Sequence, residues 1–113
     1  MEFELPYPPS VNHYYRHVGP RVLISRPGRK YREIVVARLR SYGIKPLNGG
    51  IELFLEAYPP DQRRRDLDNL LKCVLDAMQY AGAYYDDSQI VKITAEKHEP
   101  MPPDGMLYMK IRH

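Results

Sequence analysis

Residues 61–69 (DQRRRDLDN) crowd acids and arginines into one short stretch. Asp66 and Asp68 stand two apart around the apolar Leu67. In an extended approach to a helix, residues two apart project to the same side, so both carboxylates can converge on one point while Leu67 anchors the chain. Carboxylates brought that close repel unless a cation lies between them or one stays protonated. A few carboxylates, with waters and a substrate phosphate completing the shell, is how Mg2+ is normally held. A helix start adds free amides and the positive end of the helix dipole, which suit carboxylates and phosphates alike. The plainer reading is an aspartate N-cap beside a solvated, ion-paired loop. The local pattern is compatible with both.

Further acids come from Asp86 and Asp87. A helix over residues 68–81 is about 20 Å long, and residues 82–87 cover about the same length when extended. The second pair therefore reaches the start of that helix only if the chain doubles straight back along it; otherwise it marks a turn. Lys72, four residues after Asp68, lies on the same helical side, either facing a phosphate or paired with Asp68. Other chemistry is thinly represented. His13, His17, His98 and His113 show no metal-ligand spacing, none of the four serines sits in a nucleophile elbow, and no glycine-rich phosphate loop follows a strand. Cys73 reads as an inert thiol beside the core. Asp76, opposite the apolar stripe of its helix, reads as solvated.

The elements that must position these groups are mostly legible. Phe3, Leu5 and Tyr7 alternate with acids, a strand stopped by Pro8 and Pro9. Residues 10–27 have no clear period and read as a long loop, or a loop holding a short hairpin around Gly19 and Pro20. Tyr31, Ile34, Val35, Leu39 and Tyr42 recur at helical spacing from Gly28 to Tyr42, with Arg38 on the same side, snorkelling to water or pointing at a partner. Ile51, Leu53, Leu55 and Ala57 alternate as a strand. Leu67, Leu70, Leu71, Val74, Leu75, Met78 and Ala81 form a continuous stripe closed by Gly82, a second helix. Strands follow over 90–97 and about 106–111. The order β-α-β-α-β-β predicts an α+β single domain over residues 1–113, a mixed sheet of about four strands with two helices packed on it.

Length and composition agree. The 113 residues suit one domain, and 43% hydrophobic with 27% charged residues is an ordinary globular balance. A single cysteine excludes a disulfide framework or a cysteine-based zinc site. No apolar run is long enough to span a bilayer and the first residues lack the marks of a secretory signal, so a cytoplasmic protein without membrane contact is expected. Net charge is only +3. Residues 1–45, however, hold nine Lys/Arg against three Glu, an asymmetry suited to a polyanion.

Three blocks, in order and covering nearly the whole chain, make the sequence resemble the RusA family of junction-resolving nucleases: residues 8–17 (PPSVNHYYRH), 63–72 (RRRDLDNLLK) and 82–91 (GAYYDDSQIV). The resemblance implies a homodimeric, Mg2+-dependent endodeoxyribonuclease, with Mn2+ as a substitute ion, that cuts four-way DNA junctions by paired symmetric nicks. The family's metal-binding acids fall on Asp66, Asp68 and Asp87, with Asp86 beside them, and its catalytic lysine falls on Lys72. Its basic residues fall on Arg63 and Arg65 and its asparagine on Asn69, while Asn12, Tyr14, Tyr15 and Arg16 become DNA contacts. Two other classes compete with this reading. A non-catalytic, structure-selective DNA-binding dimer would use the same basic surface, and a phosphoesterase for small substrates would need no DNA.

Overall fold

A computed structural model describes all residues, 1–113, as an α+β fold. Strand β1 (Glu2–Leu5) leads through Pro8 and Pro9 to a single helical turn α1 (Val11–Tyr14), then to a hairpin of β2 (Tyr15–Val18) and β3 (Arg21–Ile24). Helix α2 (Arg26–Ser41), strand β4 (Ile51–Tyr58), helix α3 (Leu67–Tyr80), a 3-10 turn at Asp87–Gln89, and strands β5 (Ile90–Lys97) and β6 (Met106–Arg112) complete the chain. The expected mixed four-strand sheet is present in the order β1-β6-β4-β5, with β5 parallel to β4 and the other pairs antiparallel. The hairpin forms a separate two-stranded sheet, and α1 adds a third helix to the expected two.

Alternation decides which sheet face is buried. Ile51, Leu53, Leu55 and Ala57 of β4, Phe3 and Leu5 of β1, and Leu107, Met109 and Ile111 of β6 lie in one core with residues of α2 and α3. Register reinforces the layer, since Leu55 and Phe3 both pair with Met109. Helix α3 buries Leu70, Cys73, Val74, Ala77 and Met78. Ser25 caps α2 by accepting from the Gly28 amide, and Pro27 suits that first turn. Two members of the expected α2 stripe are corrected: Ile34 and Tyr42 are exposed, because the helix buries only a narrow face through Tyr31, Val35 and Leu39. Arg38 is exposed. No helix is long and apolar enough to cross a membrane.

Candidate active site

An open cleft of about 580 Å³ runs along α3. One wall carries Asp68, Lys72 and Asp76, one helical turn apart, with Asp87 joining them from the loop before β5. Val11, Asn12, Tyr15, His17 and Val22, from α1 and the hairpin, line it too. Residues 11–24 thus form an arm along the cleft. The pairs Tyr15–Ile24 and His17–Val22 explain why Tyr15, His17 and Val22 share a face.

Asp87 borders the cleft from the C-terminal end of α3, where the chain turns back against the last turn of the helix. The Asp87 amide donates to Gln79 Oε1 in the last turn of α3 (3.0 Å). Gln89 Oε1 accepts from the amides of Tyr85 (2.7 Å) and Asp86 (3.0 Å), while its Nε2 donates to the carbonyls of Leu47 (2.8 Å) and Gly49 (2.9 Å). One glutamine therefore locks the acidic loop to the segment before β4. Asp86 is used differently: its carboxylate caps the 3-10 turn by accepting from the Ser88 amide (2.9 Å), and the Ser88 hydroxyl first, then that amide, hold its pKa below the usual carboxylate value. The Asp87 carboxyl is pushed up, first by partial burial and further by the charges of Asp86 and Asp76. Negative charge held together in a cleft is the setting that a cation relieves.

Asp66 is the N-cap residue of α3, in extended conformation and with no side-chain cap bond. Its carboxylate lines an adjoining recess with Asn69, Arg64 and Arg65, and Val11 and Asn12 border both spaces. Asp68 and Asp87 thus share one cleft and Asp66 occupies its neighbour. Asp66, Asp68 and Asp87 do not draw their oxygens within 4.8 Å of one another; the trio that does is Glu56, Glu96 and His98, at the C-terminal ends of β4 and β5. Lys72 is exposed and makes no ion pair with Asp68, which removes the intrahelical bridge as its role.

The remaining expected residues separate clearly. Arg65 binds Asp61 (2.6 Å), and its guanidinium lies 5.7 Å from the Tyr7 ring. Arg63 is exposed, 3.8 Å from Asp61. Arg16 is exposed on the hairpin. Tyr14 requires correction as a DNA contact: it is fully buried with its hydroxyl on Asp76, leaving Tyr15 as the accessible ring of the pair. Asp76 is corrected too, being hydrogen-bonded and ion-paired and not simply solvated. His17 and Val22 are cleft residues that the aperiodic sequence of the arm did not reveal; the available signal was that His17 falls two residues after Tyr15 in a strand. Cys73 is buried, its thiol pushed up to about 12 chiefly by that burial, and is inert as expected.

Residues 6–104 match the family model described as endodeoxyribonuclease RusA. The chain is 40% identical over 108 residues to a crossover junction endodeoxyribonuclease RusA of Shigella sonnei (strain Ss046) and 39% identical to that of Escherichia coli (strain K12), in each case covering 95% of this chain and 89% of the relative. A protein of the same name from Enterobacteria phage HK97 is 40% identical over 111 residues, covering 97% of this chain and 92% of its own. With both the family match and these identities spanning nearly its full length, the chain belongs to the RusA endodeoxyribonuclease family.

Proposed function

We propose that this protein resolves four-way DNA junctions by metal-dependent cleavage of paired strands, acting as a homodimer. The observation that carries the reading is the meeting of Asp68, Lys72 and Asp87, from two separate segments, in one cleft flanked by a basic, aromatic arm. A two-fold dimer supplies the two active sites that symmetric cuts require.

The donor set fits a hard divalent ion: carboxylate oxygens in an open, polar cleft, with no thiol accessible. Asp68 and Asp87 would hold it, with Asp66 at the adjoining recess, and Mg2+ or Mn2+ is the expected occupant. Such an ion, when bound, lowers the pKa of a coordinated water and offsets charge on the scissile phosphate. Lys72 faces the same space and stabilises negative charge on the phosphate or on the leaving oxygen. Asn12 and Asn69 offer neutral donors at the boundary between cleft and recess. Tyr15 presents a ring for stacking on an unpaired base, and Arg16 and Arg63 offer charges to flanking phosphates. Arg65, tied to Asp61, orders the loop that delivers Asp66.

Incubating the protein with a mobile four-way junction, with and without Mg2+, tests the reading. Symmetrically nicked duplexes that appear only with the ion are expected. A junction bound but left intact would reduce the protein to a structure-selective binder, and turnover of a nitrophenyl phosphate without junction cutting would place it among small-substrate phosphoesterases.

A further inference from the structure

Asp76 joins three elements. The Tyr14 hydroxyl, at the end of α1, donates to Asp76 Oδ2 (2.5 Å) across 62 residues of sequence. Arg32 of α2 holds both carboxylate oxygens, Nε on Oδ2 (2.9 Å) and Nη2 on Oδ1 (3.0 Å), the two-bond fork that fixes direction as well as distance. The Arg32 guanidinium also lies 4.7 Å from the Tyr80 ring, so it is held on a second side.

The location gives this triad a consequence for the chemistry. Asp76 lines the same cleft as Asp68, Lys72 and Asp87. Tyr14 leads directly into β2, and its neighbour Tyr15 and nearby Asn12 line the cleft from the arm. The arm's second attachment is on the opposite side: Ser25 donates to the carbonyls of His13 and Tyr14 (2.8 Å to the latter), which fastens it to the start of α2. Tyr14 therefore supplies the side-chain hydrogen bond that ties the arm to α3. Arg32 meanwhile neutralises a carboxylate that would otherwise face an incoming phosphodiester.

We propose that Asp76, clamped by Tyr14 and Arg32, is a positioning residue that sets the spacing between the arm and α3. A strand gripped by the arm then meets Asp68, Lys72 and Asp87 in alignment. The inference rests on the nuclease reading above. A misplacement on the scale of an ångström is worth about 100-fold in rate, whereas binding through many phosphates hardly changes.

The test compares wild type with Tyr14→Phe, Asp76→Ala and Asp76→Asn. Junction affinity is measured in Ca2+ and single-turnover cutting in Mg2+. Tyr14→Phe and Asp76→Ala should cut about 10- to 100-fold more slowly with affinity held within about threefold. Asp76→Asn, whose amide oxygen still accepts from Tyr14 and Arg32 Nε while its NH2 faces Arg32 Nη2, should cut faster than Asp76→Ala but slower than wild type. Cutting by both slow variants within about threefold of wild type, or rate losses that merely track lost affinity, would overturn the proposal. If Asp76→Ala fails to melt cooperatively, Tyr14→Phe, which removes a single oxygen, decides alone. If wild type leaves the junction intact, the nuclease reading falls, and the clamp is judged by amide exchange. Faster exchange across residues 11–17 of Tyr14→Phe, with α3 unchanged, supports it; unchanged exchange overturns it.

Discussion

The Arg65 guanidinium lies 2.6 Å from the Asp61 carboxylate and not against Asp66, although Asp66 is its neighbour in sequence. The pairing closes the 61–65 loop on itself and leaves Asp66 free of a competing cation. Arg65, first, and then the Arg63 amide hold the Asp61 carboxyl down to about 2, from an ordinary 3.8. A depressed carboxyl contributes stability that is present above its unfolded value and lost as pH falls through the folded one. The melting temperature should therefore fall more steeply between about pH 4 and pH 2 in wild type than in Asp61→Asn. Equal acid slopes would show that the pair adds nothing to stability.

Asp68→Asn should abolish junction cutting and leave junction affinity equal or higher, because it removes a negative charge from a cleft built to receive phosphate. Gel-shift titration beside a nicking assay measures both. Near-normal cutting by this variant would exclude Asp68 as a metal ligand.

Lys72→Ala should lower the cutting rate by about 100- to 1,000-fold, the usual cost of losing a group that meets developing charge. Affinity should change far less, since one phosphate contact among many is lost. Single-turnover rates at saturating protein separate the two effects.

A methyl group at Gly28 would stand 2.3 Å from the Tyr14 carbonyl oxygen, at the crossing of α2 and the arm. Gly28→Ala should destabilise the fold by about 1–3 kcal/mol, as overpacking does. It should slow junction cutting beyond that loss by displacing Asn12 and Tyr15, and urea unfolding with cutting rates measured well below the melting temperature checks both parts.

Junction affinity should fall steeply with salt, and removing Arg16 should lower the slope of log affinity against log salt by about one, the signature of one lost phosphate contact. An unchanged slope would place Arg16 away from the DNA.

Strand β4 and helix α3 were readable because each carries a period set by local geometry, alternation for a half-buried strand and a 3.6-residue stripe for a helix against a core. Strand β5 was readable from its alternating residue types, although only Ile90 and Ala95 escape exposure. The arm was harder. Three of the four residues of β2 are exposed, so no alternation of burial marks it, and α1 is a single turn with no room for a stripe. Asp76 was misread for a related reason. Its position opposite the stripe was correct, but α1 and α2 cover that side with Tyr14 and Arg32, which no spacing within α3 encodes.

The amino-acid order by itself determined the α+β plan, the acid pair at the mouth of α3, the placement of Lys72 one turn onward and the family to which the chain belongs. These depend on side-chain period and short-range spacing, which a linear chain carries locally. Only the folded chain decided that Asp87 turns back to share the space of Asp68 while Asp86 becomes a cap, that Arg65 binds Asp61, and that Tyr14 is buried against Asp76. Each is a contact between segments whose meeting depends on how helices and strands pack, and that packing follows from the whole core at once.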